Sequence, residues 1–176
     1  EVTICYIGGG SAEWAVKLMR DLALQNELTG ELRLYDIDAE AAEVNRDLGQ
    51  RLFAHDEAQS NFEVVVHRSV ESALAGADVV VMSIEPGPTD LRYADLEIPA
   101  GYGILQTVGD TTGPGGLLRA WRAIPTFVDY AEQIGSHAPE AWVINYTNPM
   151  TLCTAALYEG YPEIKALGCC HEVPGI

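Results

Sequence analysis

The feature that most constrains the fold of this chain is a short apolar run that leads directly into a cluster of glycines. Val2–Ile7 is rich in β-branched and aromatic residues and is typical of a β-strand. The turn that follows consists of Gly8, Gly9, Gly10 and Ser11. Beyond it, Trp14, Leu18 and Leu22 recur every four residues, which predicts a helix with one buried face. A strand, a glycine turn and a helix in this order open the βαβ unit that binds dinucleotides.

The glycines suit a cofactor site because they let the backbone approach a pyrophosphate, whose charge the helix N-terminus can bind. Gly8 and Gly10 match the start of the fingerprint G-x-G-x-x-G, but Glu13 occupies the position of the third glycine. The turn by itself is therefore also compatible with an ordinary loop.

An acidic residue after the second predicted strand supports the cofactor interpretation. Glu31–Tyr35 forms that strand, and Asp36 follows it. A carboxylate here can accept hydrogen bonds from both ribose hydroxyls and would repel a 2′-phosphate, so we expect NAD rather than NADP. Asp36 or Asp38 could instead cap the helix predicted from Ala39, and the two roles are compatible.

Four more apolar runs alternate with helical patterns along the chain. They cover residues 62–66, 78–84, 142–144 and 164–167. Ser83 near the end of the fourth strand and Asn145 after the fifth are candidate contacts to the cofactor. Six strands alternating with helices predict an α/β fold with a doubly wound, mainly parallel Rossmann-type sheet in the order 3-2-1-4-5-6. We expect residues 1–176 to form one NAD-binding domain.

Polar segments between the later strands are candidates for substrate binding. Residues 85–116 are rich in glycine and proline, and we expect a long functional loop there. Its last part begins at Asp110 and leads into a helix N-terminus, which favours a polar ligand, so Asp110 is a candidate substrate-binding residue. Asn148 precedes Pro149, which disfavours helical backbone, and its amide can point outward from the strand end.

A thiol and an imidazole stand side by side after the last predicted strand. They belong to Cys170 and His171, which follow Gly168 and Cys169. A thiolate and an imidazole at the carboxyl end of a strand can hold a metal or a reacting ligand. A cysteine in such a run is also often a small buried hydrophobe.

The composition excludes several classes of partner. The formal net charge is −16, so the basic surface that binds nucleic acid or an anionic membrane is missing. No apolar run has the length of a membrane span, and no signal peptide is recognisable. The 4 cysteines do not form a disulfide-framework pattern, so we expect a reducing cytoplasm.

The motifs together are more specific than any one of them. They are Gly8–Ser11, Asp36, Gly109–Gly116, Thr147–Pro149 and Gly168–His171. In this order they resemble the NAD- and metal-dependent glycoside hydrolases of family 4. The segment Gly-Asp-Thr-x-Gly-Pro-Gly-Gly is similar to the α-galactosidase and uronidase branch, and Gly-Cys-Cys-His-Glu-Val is most similar to the α-galacturonidases. The resemblance spans the whole chain, which corresponds to the amino-terminal part of such an enzyme.

The resemblance implies a chemistry and a set of roles. The sugar is oxidised at C3 by NAD, the glycosidic bond is broken by elimination between C1 and C2, water is added, and the sugar is reduced again. A divalent metal, Mn²⁺ in relatives, stabilises the enediolate. Cys170 matches the thiolate ligand of that metal, although softness alone would favour zinc. Asn148 matches the amide that holds the sugar hydroxyls, and His171 matches a general acid or a substrate contact; we favour assistance to the leaving group.

Other parts of such an enzyme lie outside this chain. The second metal-binding histidine and the tyrosine base of the family come later, so we expect the chain to bind NAD without turnover and the full-length enzyme to be a homo-oligomer. A galacturonide is an anion and requires a local cation, because distant charge is screened beyond ~8 Å. Arg92 and Arg119 are candidates, and each could equally be a surface residue or a loop anchor.

Related activities and two other classes of protein remain open at this point. Within the family, the substrate could instead be an α-galactoside or an α-glucuronide. A 2-hydroxy-acid dehydrogenase of the lactate/malate type would use the same fold but would lack the Cys-His pair and need no metal. A non-catalytic NAD-binding regulator would lack glycosidase activity at full length.

Overall fold

The computed structural model describes residues 1–106 and 109–170. In these ranges six strands form one parallel sheet in the order β3-β2-β1-β4-β5-β6. The strands are β1 Val2–Ile7, β2 Gly30–Tyr35, β3 Phe62–His67, β4 Val79–Met82, β5 Trp142–Asn145 and β6 Lys165–Gly168. The helices are α1 Trp14–Leu24, α2 Ala39–Phe53, α3 Val70–Leu74, α4 Asp90–Gly101, α5 Gly113–His137 and α6 Met150–Gly160. The predicted fold class and strand order are confirmed.

Helices cover both faces of the sheet because successive residues of its strands point to opposite sides. Cys5 of β1 packs in one core with Phe127 of α5, and Tyr6 packs in the other with Met19 of α1. All four side chains are almost fully buried. Within the described ranges, none of the helices combines the length and apolarity needed to cross a bilayer.

The strand register places the candidate residues at one edge. Ile7 of β1 pairs with Tyr35 of β2 and with Met82 of β4, and Met82 pairs with Asn145 of β5. The carboxyl ends of these four strands therefore lie side by side. This is the edge at which open α/β sheets bind their ligands.

The prediction that residues 85–116 lack regular structure was wrong. They contain α4, and α5 begins at Gly113. The segment between Pro88 and Pro99 has no glycine or proline, so ten residues were available for a helix. Tertiary contacts stabilise it, because Asp95 of α4 is buried and forms an ion pair with Arg122 of α5.

Candidate active site

A cleft of about 1230 Å³ opens at the carboxyl edge of the sheet. Of the residues proposed from sequence, those that line it are Gly8, Gly10, Ser11, Asp36, Ser83, Arg92, Asp110, Arg119 and Asn148. Gly9 and Asn145 are buried and are not among the lining residues. Cys170 follows β6 and is not among the lining residues, and His171 is outside the described residues. The fold thus brings residues from widely separated parts of the chain to one cavity.

The glycine turn packs too closely against its neighbours for larger residues. Gly8 has a φ of +98°, and a Cβ atom there would lie 2.0 Å from the carbonyl oxygen of Ser83. A Cβ atom on Gly9 would lie 2.7 Å from that of Leu34. The N–H groups of Gly8 and Gly9 both donate to the carbonyl of Tyr35, at 2.9 and 3.0 Å. These contacts bring the backbone of the turn to the floor of the cleft.

Most N–H groups of this turn are already bonded within the protein. Gly10 donates to Asp36, and Ser11 donates to the carbonyl of Gly8 at 3.0 Å. Ala12 and Glu13 have no acceptor for their N–H groups in the part of the chain that the structure describes. They precede α1, whose N-terminus carries partial positive charge. The N-terminus of α1 can therefore bind an anionic group in the cleft, even though Glu13 replaces the expected third glycine.

The structure separates the roles that Asp36 and Asp38 were expected to share. Asp38 caps α2 by accepting a hydrogen bond from Ala41 at 3.1 Å. Asp36 lines the cleft and accepts from the N–H groups of Gly10, at 2.8 Å, and Asp38, at 2.9 Å. A carboxylate offers about four lone-pair positions, so roughly two remain for donors from a ligand.

A network of alternating charges forms the other end of the cleft. Arg119 is buried and forms ion pairs with Glu85, at 2.6 Å, and with Asp110. Arg92 is half exposed and lies 3.8 Å from each of the same two carboxylates. The amide of Asn148 donates to the second oxygen of Asp110 at 3.3 Å. Two guanidinium groups and two carboxylates balance each other beside the amide that was proposed to hold the sugar.

Asn145 organises the loop after β5 instead of facing the cleft. Its side chain is fully buried, accepts a hydrogen bond from the N–H of Thr147 at 2.8 Å and donates to the hydroxyl of Thr154 at 3.2 Å. Thr147 in turn accepts from the N–H of Ile84 at 3.0 Å, which ties this loop to the end of β4. A direct side-chain contact of Asn145 with a cofactor therefore has no support in this arrangement, whereas a positioning role does.

The described residues supply at most part of a metal site. Cys170 is half buried and follows Cys169, whose N–H donates to the carbonyl of Asn145 at 2.9 Å. This bond keeps the segment alongside β5 beyond the end of β6. Within residues 1–106 and 109–170, no group of three or more His, Cys, Asp or Glu side chains is placed to hold a metal ion.

Comparison with known proteins decides the family. A family profile described as Family 4 glycosyl hydrolase matches residues 3–176. The chain belongs to glycoside hydrolase family 4. The resemblance stated from sequence is confirmed.

The family 4 relatives are longer than this chain. An alpha-galacturonidase of Thermoanaerobacterium saccharolyticum is 51% identical over 99% of this chain, which spans 38% of that relative. The crystal structure of LplD from Bacillus subtilis superposes with a TM-score of 0.90 at 47% identity, and the alignment covers 99% of this chain and 39% of LplD.

A further similar structure was solved with bound ligands. It is the 6-phospho-beta-glucosidase of Thermotoga maritima with manganese, NAD⁺ and glucose-6-phosphate. Its TM-score is 0.83 at 30% identity, and the alignment covers 99% of this chain and 41% of that one. The chain therefore spans about two fifths of each of these proteins.

Sequence reasoning missed residues that support the family 4 cleft. Asn45 is buried on α2 and donates to the carbonyls of Gly9, at 2.7 Å, and Ser11, at 2.9 Å. Its position three residues after Ala42, on the apolar face of α2, was the available signal, because a buried amide requires partners.

Two tyrosines beside the cleft were also missed. Burial raises the pKa of Tyr6 to about 12, although a hydrogen bond with Ser83 acts in the opposite direction. Burial, followed by the proximity of Tyr35 and Asp36, raises the pKa of Tyr130 to about 12. Both phenols therefore keep their protons at physiological pH and can donate hydrogen bonds.

Proposed function

We propose that this chain is the cofactor-binding part of an NAD- and Mn²⁺-dependent glycoside hydrolase that acts on α-galacturonides. The observation that carries the proposal is the 51% identity to an alpha-galacturonidase over 99% of the chain. The cleft supports it, because its two ends carry different chemistry. One end offers a glycine turn and a carboxylate, and the other offers an amide within a charge network.

The first end fits a dinucleotide. Asp36 would accept the hydroxyls of the adenosine ribose, and the N–H groups of Ala12 and Glu13 would hold the diphosphate. Asn45 stabilises the conformation of the glycine turn by donating hydrogen bonds to the carbonyls of Gly9 and Ser11. When bound, NAD would supply reversible hydride acceptance at the sugar, and Mn²⁺ would supply a Lewis acid for the adjacent oxygens.

The second end fits a sugar. Asn148 would orient the sugar hydroxyls, because its amide is held by Asp110 at 3.3 Å on one side and by the N–H of Met150 at 3.2 Å on the other. Cys170 would contribute a thiolate to the metal. We also propose that His171, which lies outside the described residues, assists the leaving group.

Arg119 and Arg92 have different proposed roles. The side chain of Arg119 is 8% exposed and is neutralised by its ion pairs with Glu85 and Asp110, so it positions the network. The side chain of Arg92 is 50% exposed and lies 3.8 Å from both carboxylates. This distance is too long for a hydrogen bond, so the donors of Arg92 are available to a ligand. Arg92 is therefore the better placed cation for the carboxylate of a galacturonide.

The proposal extends to the surroundings of the enzyme. Its partner is a small sugar-acid glycoside rather than a nucleic acid or a membrane, in keeping with the net charge of −16. Cys5 and Cys153 are buried thiols, which suits the reducing cytoplasm. A homo-oligomer of the full-length enzyme rests on the family resemblance.

Assays of the full-length enzyme test the proposal. The p-nitrophenyl derivatives of α-galacturonide, α-glucuronide and α-galactoside are compared with and without NAD and Mn²⁺. We expect hydrolysis of the galacturonide that requires NAD, stops with EDTA and returns with Mn²⁺. The 176-residue chain should bind NAD without hydrolysis. A preference for another glycoside would correct the substrate, and activity without NAD would overturn the mechanism.

A further inference from the structure

Two aromatic side chains in the lining of the cleft stack on each other. Trp14 begins α1, and Tyr146 follows β5. Their ring centroids lie 6.1 Å apart with planes inclined by 21°, which is an offset stack. Both side chains line the cleft, and they remain 38% and 37% exposed. Large aromatic surface that is ordered in a pair yet left open to a cavity is available for a ligand ring.

The topology defines which part of a dinucleotide would reach this pair. β4 lies between β1 and β5 in the sheet, so a contact between Trp14 and Tyr146 passes over the end of β4. Asp36 follows β2, on the opposite side of the glycine turn. A dinucleotide with its adenosine ribose at Asp36 and its diphosphate at the turn must place its second nucleoside beside the aromatic pair.

We propose that Trp14 and Tyr146 form an aromatic wall against which the nicotinamide ring of NAD packs. This inference rests on the proposed NAD binding and adds the residues that position the reacting ring. Oxidised nicotinamide is flat and electron-poor, and the indole and phenol rings are electron-rich, so stacking between them is favourable.

Contacts within the protein hold the wall in place. The N–H of Tyr146 donates to the carbonyl of Met82 at 2.8 Å, which anchors it to β4. The ammonium of Lys17 lies 5.9 Å from the centroid of the Trp14 ring, and the N–H of Trp14 donates to the hydroxyl of Ser11 at 3.1 Å. A pre-formed wall loses little conformational entropy on binding and favours one orientation of the ring.

A comparison of NAD with ADP-ribose tests the inference, because ADP-ribose is the same molecule without the nicotinamide ring. Calorimetric titration of the unaltered chain and of Trp14→Leu gives the dissociation constants for both ligands. We expect Trp14→Leu to weaken NAD binding by about two- to tenfold and to leave ADP-ribose binding unchanged. NAD, but not ADP-ribose, should quench tryptophan emission, and Trp14→Phe should remove that quenching while retaining most of the affinity.

Two further variants complete the design. Trp121→Leu is the matched control, because Trp121 is 67% exposed on α5 and does not line the cleft. Tyr146→Leu should reproduce the selective loss of NAD affinity, and circular dichroism of each variant checks the fold. Equal losses for NAD and ADP-ribose, or no loss for either, would overturn the inference and leave the proposed function intact. Failure of the unaltered chain to bind either ligand would overturn the proposed function itself.

Discussion

The backbone N–H of Gly10 donates a hydrogen bond to the carboxylate of Asp36 at 2.8 Å. This bond joins the turn after β1 to the end of β2, so the two elements expected to hold the cofactor also hold each other. The second carboxylate oxygen accepts from the N–H of Asp38 at 2.9 Å, which fixes the orientation of the group. Hydrogen bonds from the protein's own backbone therefore fix the orientation of the carboxylate.

Replacement of Asp36 by alanine should weaken NAD binding by about ten- to a hundredfold, because hydrogen bonds to a charged group are lost. It should also reduce discrimination against NADP, since the carboxylate that repels a 2′-phosphate is gone. Calorimetry with both cofactors measures the change. Asp38→Ala is the control: it removes the cap of α2 and about 1 kcal/mol of stability but should retain NAD affinity. Unchanged NAD binding by Asp36→Ala would rule out the ribose contact.

Replacement of Asn45 by alanine should destabilise the fold and loosen the glycine turn. The substitution leaves the carbonyls of Gly9 and Ser11 without a buried donor, which costs about 1–3 kcal/mol. Urea denaturation should show the lower free energy of unfolding, and the NAD dissociation constant should rise. Asn26→Ala, at an exposed asparagine, is the matched control and should change neither quantity. Equal stability of the two variants would contradict the anchoring role.

Leucine substitutions of the two arginines in the charge network should lower the free energy of unfolding to different extents. Arg119→Leu removes the buried partner of two carboxylates that are themselves partly exposed, and should lower the free energy of unfolding by about 1–3 kcal/mol. Arg92→Leu should lower the free energy of unfolding by less than about 1 kcal/mol, because the side chain of Arg92 is half exposed and its two ion pairs span 3.8 Å.

In the full-length enzyme, Arg92→Leu should raise KM for the α-galacturonide more than for the α-galactoside. The uncharged sugar serves as the internal control for general damage to the cleft. A parallel change for both substrates would remove Arg92 from carboxylate recognition.

The free energy of unfolding should fall at alkaline pH because the thiol of Cys5 loses its proton more readily in the unfolded chain. Burial raises the pKa of this thiol from 9.0 to about 12. In the unfolded chain the thiol loses its proton near the ordinary value, while the folded chain retains it, so the stabilisation is complete below pH 9.0 and is lost as pH rises towards about 12. The free energy of unfolding should decrease by up to ~1.4 kcal/mol per pH unit from this group.

Cys5→Ala tests this prediction, because it removes one titrating group from the buried strand. Urea denaturation as a function of pH should give a shallower alkaline decline for the variant than for the parent. Parallel declines would show that the thiol of Cys5 does not titrate differently in the folded and unfolded states.

The sequence alone was sufficient for the sheet and for part of the cleft. Strand order follows from apolar runs that alternate with helical patterns, and each predicted strand is found with ends that differ by no more than two residues. Gly8 and Asp36 were recognised because steric and ionic requirements act within a few residues of the turn and the strand end. Such local patterns depend on backbone geometry and can be recognised without knowing the tertiary contacts of each residue.

The tertiary structure alone decided which partners these residues meet. Arg119 was recognised as a candidate cation, but its burial between Glu85 and Asp110 depends on packing α5 over the end of β4. Asn45 supports a turn 36 residues earlier in the chain, and no local pattern encodes that contact. Helix α4 escaped recognition for the same reason, because a buried ion pair with α5 stabilises it. Contacts between distant segments depend on how the whole core packs, which no short stretch of sequence specifies.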